Sequence, residues 1–365
     1  MNKRLRDYGL TIGSLPTGPN NSITDVTGVK VGHCTLDDGP IKTGVTAILP
    51  HAGNLFTDKV MAVSHVINGF GKTTGTIQIE ELGTIETPIL LTNTLSVGQA
   101  SDALVQYMLE QNPDIGLTTG TVNPVVGECN DGYLNDIRGQ HVRAEHVLTA
   151  LSSADSSFAE GAVGAGTGMS CYGVKGGIGS SSRTIELDGT TYTLGVLVLS
   201  NFGLQQDLVI DGMRVGEQIA QIERTSRSAS DRTAAVPLTE EREKGSIIFV
   251  LATDLPLTER QLKRICKRCA VGLSRTGSFI GNGSGDVVIG FSTANRVQHE
   301  PTASIVPLRM VHETSIDLAF RACAEASEEA ILNSMVAAKT TVGRDGHLRV
   351  GLQEYLEEIL EQTRA

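Results

Sequence analysis

Apolar positions recur along this chain with two periods, and segments of each kind alternate from end to end. Ser22–His33 alternates in the manner of a strand broken by a turn at Gly28, and Thr43–Leu49 reads as a second strand. Residues 53–71 are small and apolar, and Thr74–Glu80 alternates again. Val97–Glu110 carries helical spacing, announced by Ser96 and closed before Pro113. Ile115–Val126 reads as a Thr-rich strand, followed by the turn signal Asp131-Gly132 and a polar stretch, Asn135–Gly139. His141–Ser152 is helical in pattern, with Val142, His146 and Thr149 at helical spacing. Arg183–Leu187 and Thr191–Leu199 pair as a hairpin around Asp188-Gly189, and the buried run Val196–Leu199 ends at a polar amide, Asn201. Leu257–Leu273 is an amphipathic helix with Thr258 as cap and Gly277 beyond its end. A glycine turn then leads into a strand through Val287–Ile289, and the chain closes with helices at Asp317–Val336 and Leu352–Thr363 around a turn at Gly343–Gly346. The class is mixed α and β, with strands outnumbering helices.

The sharpest break in this pattern lies at Gly245-Ser246. From Arg224 to Gly245 there is almost no periodicity, which predicts an exposed, mobile segment, whereas Ile247–Ala252 is a continuous apolar run of strand length. Cutting between Gly245 and Ser246 would put a new amine and a hydroxyl on the first residue of a core strand. A free α-amine has a reference pKa of about 7.7–8.0 and can act as a base near neutral pH, which a peptide nitrogen cannot. An ordinary serine at the start of a strand accounts for the same residues.

Composition narrows the class. A chain of 365 residues with 40% hydrophobic content can bury a substantial core. Its 41 glycines, 4% aromatics and lack of Trp point to tight turns and close backbone approaches. A net charge of −11 argues against general binding to nucleic acid or to an anionic membrane. Tyr8–Gly13 is too short and polar for a signal-peptide core, and no apolar run is long enough to span a bilayer, so a cytoplasmic protein is expected. Cys34, Cys129, Cys171, Cys266, Cys269 and Cys323 are scattered, as reduced thiols would be. Cys266 and Cys269 form a CxxC on a helix-like stretch, either incidental or a redox pair favoured by the flanking cations.

Candidate chemistry comes from polar residues at turns. The glycine-rich run Gly161–Gly179 lacks a Gly-Lys-Ser/Thr close and the third glycine of a dinucleotide loop, which favours closely approaching strands or a loop lining a substrate over nucleotide binding. Ser284 and Asp286 are two apart and would share a face if extended, although Asn-Gly-Ser-Gly-Asp is also ordinary turn vocabulary. Asn201 is open to the same turn reading. The eight histidines show no metal-ligand spacing, and no Gly-x-Ser-x-Gly marks a nucleophile elbow, so a zinc peptidase and a triad hydrolase are both disfavoured.

Taken together, Ile23–His33, Pro124–Ile137, Gly164–Arg183, Gly245-Ser246, Gly283–Asp286 and Ala330–Ser334 resemble, in order and over nearly the whole chain, the DmpA-type self-processing aminopeptidases. That family comprises L-aminopeptidase/D-esterases and β-peptidyl aminopeptidases. The resemblance implies a four-layer αββα sandwich, similar to the N-terminal-nucleophile hydrolases with different connectivity. It further implies one catalytic domain, 1–365, that cuts itself into an α chain, 1–245, and a β chain, 246–365. Ser246 would be the nucleophile and its α-amine the base, assisted by Ser284 and Asp286, an acid that in some members is the longer glutamate. Asn201 and Tyr133 would serve the oxyanion, and Glu128 would hold the substrate ammonium; a structural ion pair is the other reading of Glu128. No metal or cofactor is required. The implied partners are a small-molecule or peptide substrate with a free amine and further copies of the chain in a homotetramer, with no nucleic acid and no membrane. Two other readings are an acyl transferase resembling ornithine acetyltransferases, which use a threonine nucleophile in another motif, and a non-catalytic ligand-binding protein of the same fold.

Overall fold

A computed structural model describes residues 3–226 and 245–364, so the mobile segment expected from Arg224 to Gly245 lies mostly outside the described residues, and its first three, Arg224–Ser226, end a helix. In chain order the elements are β1 (Lys30–Asp38), β2 (Ile41–Leu49), β3 (Asp58–Gly69), α1 (Thr76–Leu82), β4 (Thr84–Ile85), β5 (Ile89–Asn93), α2 (Val97–Gln111), β6 (Val125–Cys129) and α3 (Ala144–Ser152). There follow β7 (Ser170–Cys171), β8 (Val174–Lys175), β9 (Gly177–Leu187), β10 (Thr190–Asn201), α4 (Val215–Ser226), β11 (Ser246–Thr253), α5 (Glu259–Cys266) and α6 (Cys269–Arg275). The chain ends with β12 (Gly285–Gln298), α7 (Asp317–Val336), β13 (Thr341–Val342), β14 (Leu348–Arg349) and α8 (Gln353–Arg364).

The continuous apolar run after Gly245 becomes β11, an interior strand of a six-stranded sheet in the order β4-β3-β12-β11-β10-β9. It pairs antiparallel with β10 and parallel with β12. A second sheet has the order β1-β2-β5-β6. Strand periodicity sorts the buried residues of β11 into two cores. Ile247, Phe249 and Leu251 pack with α4 to α8, while Ile248, Val250 and Ala252 pack between the sheets against Ile89, Leu91 and Val125. Val45, Ala47, Leu90 and Val126, on the outer face of the second sheet, pack against α2 and α3. Three apolar cores therefore separate four layers, helices on both outsides and two sheets within, as the resemblance implies. Each fully buried Ile, Leu or Val contributes roughly 1.5–3 kcal/mol.

The glycine-rich run is a loop followed by a strand, β9, that α7 approaches closely: a Cβ built on Gly179 would stand 2.1 Å from the Ala330 carbonyl oxygen. Arg183 of β9 is wholly buried and ties this strand to the helix through Glu325 at 3.2 Å and Glu329 at 2.8 Å. Four segments differ from expectation. Ile23–Asp25 is a 3-10 turn, because the Asp25 carboxylate accepts the Ser22 N–H at 3.0 Å and closes the backbone before it can extend. Thr76–Leu82 is a helix bounded by Gly75 and Gly83, with Ile79 buried and Ile77 exposed, so the alternation of two isoleucines reflects opposite faces of a turn of helix. Of Ile115–Val126 only the end is strand. The helix read at Leu257–Leu273 is two, broken at Lys267-Arg268.

Candidate active site

Register places Ser246 between two residues singled out from sequence. Its antiparallel partner is Asn201, the last residue of β10, and its parallel partner is Gly285, the first of β12. Ser246 is 6% exposed. Its hydroxyl donates to the Gly245 carbonyl oxygen at 2.6 Å, and the same oxygen accepts the Gly285 N–H at 3.2 Å. The carbonyl before the serine is thus polarised by two donors, one of them the serine's own hydroxyl. Glycine is required at both flanks: a Cβ on Gly245 would stand 2.3 Å from Phe202 Cα, and one on Gly285 would stand 2.7 Å from the Phe70 carbonyl oxygen and 3.0 Å from Ser246 Oγ.

Ser284 and Asp286 flank Gly285, both 1% exposed. The Ser284 hydroxyl donates to Asp286 Oδ1 at 2.5 Å, so aspartate reaches the serine despite its shorter side chain. The preceding turn is held from β3, where the Asn68 amide donates to the Gly281, Asn282 and Ser284 carbonyl oxygens and the Phe70 N–H donates to Ser284 O at 3.2 Å. Asn201 is no free turn residue. Its Oδ1 accepts the Ser170 N–H at 2.9 Å and its Nδ2 donates to the Asn130 carbonyl oxygen at 3.0 Å. One amide hydrogen of Nδ2 remains for another acceptor.

Glu128 comes from the other sheet, on β6, and is 3% exposed. Its Oε1 accepts the Lys72 N–H at 2.7 Å and its Oε2 accepts the Thr94 hydroxyl. Among the described residues it has no ion-pair partner. A Cβ on Gly71 would stand 3.4 Å from Glu128 Oε1 and 3.7 Å from Gly285 Cα, which sets the carboxylate beside the Ser246 end of β11. The neighbouring Cys129 thiol is pushed well up by burial and by the charges of Glu128 and Asp286, so both carboxylates bear on one neighbourhood. Both of the hydrogen bonds to Glu128 come from neutral donors.

Tyr133 packs against the C-terminal segment. Its ring is stacked on His347 with centroids 4.6 Å apart, and the Arg349 guanidinium lies 3.6 Å from its centroid. Among the described residues its hydroxyl makes no hydrogen bond to Ser246 or Asn201. The structure also adds Lys72, Thr94, Asn130 and Ser170, three of which act through backbone atoms that no residue pattern reports; Thr94 was hidden in cap-like vocabulary ahead of α2. No group of three or more His, Cys, Asp or Glu able to hold a metal occurs among the described residues, and no helix among them is long and apolar enough to cross a membrane. Cys269 Sγ lies 3.6 Å from Cys323 Sγ, so the nearest thiol partner of Cys269 is on α7.

Comparison with known proteins identifies the family. The family described as Peptidase family S58 matches residues 21–349. A β-peptidyl aminopeptidase, BapA, of Sphingosinicella microcystinivorans is 42% identical over 359 residues, 94% of this chain and 88% of the relative. Among solved structures, a β-aminopeptidase of Burkholderia sp. superposes with a TM-score of 0.87 at 41% identity, covering 99% of both chains. The L-aminopeptidase D-Ala-esterase/amidase of Ochrobactrum anthropi, described as a prototype for the serine aminopeptidases and a new variant of the Ntn hydrolase fold, superposes with a TM-score of 0.87 at 38% identity, covering 99% of this chain and 98% of its own.

Proposed function

The chain belongs to peptidase family S58 and is an aminopeptidase, and from that premise we propose that Ser246 performs two successive acyl transfers at the end of β11. In the first, Ser246 Oγ attacks the Gly245 carbonyl carbon, the Gly285 N–H stabilises the developing oxyanion, and the C–N bond breaks as the acyl group moves to oxygen and the Oγ proton passes to the departing Ser246 nitrogen. Water then hydrolyses the ester, leaving the Gly245 carboxylate on an α chain of residues 1–245 and a free Ser246 amine on a β chain of residues 246–365. In the second, that amine takes the proton from Oγ as the serine attacks the carbonyl after the substrate's first residue, and returns it to the departing amine. A second water releases the N-terminal amino acid.

The remaining residues divide the work by charge. Glu128 holds the substrate ammonium, which selects for an unblocked N-terminus and sets the carbonyl's distance from Oγ. The spare N–H of Asn201 serves the oxyanion, joined by Tyr133 once its ring turns off His347. Ser284, oriented by Asp286, relays to the amine. Substrates are small peptides, amides or esters with a free amine, in line with the names of the relatives. The setting is the cytoplasm and the assembly a homotetramer; Ile305, Val306, Leu308 and Met310, all exposed, supply apolar surface for it.

The observation that carries this reading is the 2.6 Å contact of Ser246 Oγ with the carbonyl of the bond to be cut, at the head of a core strand. On denaturing electrophoresis the parent protein should run as two fragments, with the smaller beginning at Ser246. Ser246→Ala should run as one chain and hydrolyse no aminoacyl amide; peptide hydrolysis persisting in that variant would move the nucleophile elsewhere.

A further inference from the structure

The mechanism leaves unused a titratable side chain beside its oxyanion group. Lys175 of β8 is wholly buried, and its ammonium donates to three backbone oxygens, Gly166 O at 2.9 Å, Met169 O at 2.8 Å and Gly176 O at 2.7 Å. All three of its protons are thereby used. Burial pushes its pKa down to about 7, against the opposing pull of the Asp131 carboxylate, and Asp131 is in turn raised by burial to about 7. Desolvating an ammonium solely to hold backbone carbonyls is costly, so the position of those carbonyls matters.

One of the three leads directly to the site. The Met169 carbonyl and the Ser170 N–H belong to the same peptide group, which is planar and trans, so its oxygen and its hydrogen point in opposite directions. The oxygen is held by Lys175 Nζ and by the Gly176 N–H at 3.0 Å; the hydrogen is donated to Asn201 Oδ1 at 2.9 Å. Fixing the carbonyl fixes the donor, and a cation on the oxygen polarises the N–H on the far side. On its other side the Asn201 amide meets the carbonyl of Asn130, the neighbour in sequence of Asp131, whose carboxylate accepts the Asn135 amide at 3.0 Å and anchors that turn. A flipped Asn201 would set donor against donor and acceptor against acceptor, so the clamp admits one orientation.

We propose that Lys175 is a positioning residue: acting through the single peptide plane of Met169-Ser170, with Asp131 fixing the opposite turn, it orients and polarises Asn201 so that the spare Nδ2 hydrogen meets the oxyanion. This rests on the oxyanion role given to Asn201 above. The glycines around Lys175 supply no side chains, so the lysine takes the place of packing in shaping the loop.

A double-mutant cycle tests it, with Lys175→Met in the parent and in Asn201→Ala, and rates referred to the fraction cleaved at Gly245-Ser246, or to the cleavage rate where cleavage is slow. Removing an oxyanion donor costs about 10²–10³ in kcat. Asn201→Ala should lose on that order, and Lys175→Met roughly 10- to 100-fold in kcat with KM nearly unchanged. In the Asn201→Ala background Lys175→Met should lose less than about 3-fold, because the group it acts through is gone. An equal loss in both backgrounds would overturn the inference while sparing the role of Asn201; a harmless Asn201→Ala would remove both. Should Lys175→Met fail to fold, Asp131→Asn enters the same cycle, with the same expected coupling and the same refuting result.

Discussion

Replacing Glu128 by Gln removes a charge while keeping a shape. The amide oxygen must stay on the Lys72 N–H, since a backbone donor cannot reverse, and the new NH₂ then faces Thr94, whose hydroxyl can turn and accept. The fold has no reason to change, and the melting temperature should move by no more than a few degrees. The bound ammonium loses a charge-assisted hydrogen bond worth about 1.5–3 kcal/mol. At roughly 1.4 kcal/mol per decade, KM for an aminoacyl p-nitroanilide should rise about 10- to 100-fold. The pH profile provides an independent reading. In the parent, kcat/KM rises as the Ser246 amine loses its proton and falls as the substrate ammonium does, each near the reference range of about 7.7–8.0. The variant has no preference for ammonium, so the falling limb should flatten. Steady-state kinetics on a substrate and on its des-amino counterpart completes the assay. An equal loss on both, or an unchanged KM, would refute the assignment of Glu128.

Two further outcomes follow from the buried polar groups. Asp286→Ala frees the Ser284 hydroxyl to rotate and should lower kcat by roughly 10- to 100-fold with little change in KM, at or below the lower end of the roughly 10²–10⁴ of general acid–base effects because Asp286 acts through Ser284; an unchanged kcat measured on cleaved enzyme would separate Asp286 from catalysis. Burial lowers the His33 pKa from 6.5 to about 4, outweighing its bond to the Ala159 carbonyl oxygen, so the folded state binds fewer protons than the unfolded chain between those values. The stability His33 gives by staying neutral is therefore complete above pH 6.5 and is lost progressively as pH falls toward 4, by about 3 kcal/mol. His33→Gln should lose less on going from pH 7 to 4.5 in thermal melts, and parallel curves for the two proteins would contradict the assignment.

What could be read from the sequence was set by how locally each feature is determined. β11 and α7 were legible because burial on both faces of a strand, and a twenty-residue alanine-rich run, leave no other pattern. The helix α1 was not, since its two isoleucines two apart mimic a strand and its boundaries depend on glycine dihedrals. At the site, Ser246, Ser284, Asp286, Asn201 and Glu128 were each legible from the resemblance, and register then brought Asn201 and Gly285 onto either side of Ser246. Thr94 and the Lys72 N–H became visible only with the fold, because Thr94 meets Glu128 from just past the end of the neighbouring strand and Lys72 from just past the end of a strand in the other sheet. Lys175 stood in plain sight among glycines, where the lack of side chains to cover a charge is itself a sign that backbone must do so.

The strand order of the larger sheet bears on what kind of object the processed enzyme is. On the proposed cleavage at Gly245-Ser246, β11 and β12 would belong to the second fragment, while β4 and β3 on one flank and β10 and β9 on the other would belong to the first. The two fragments would be one fold severed in place, and neither would ever have been a separate body that docked onto the other. Pulling them apart means unzipping two ladders in the middle of a sheet and exposing both of its cores. Dilution, which parts ordinary subunits by mass action, has no hold on such a pair. The working lifetime of the enzyme is therefore governed by a rate of unfolding, with no dissociation constant in it.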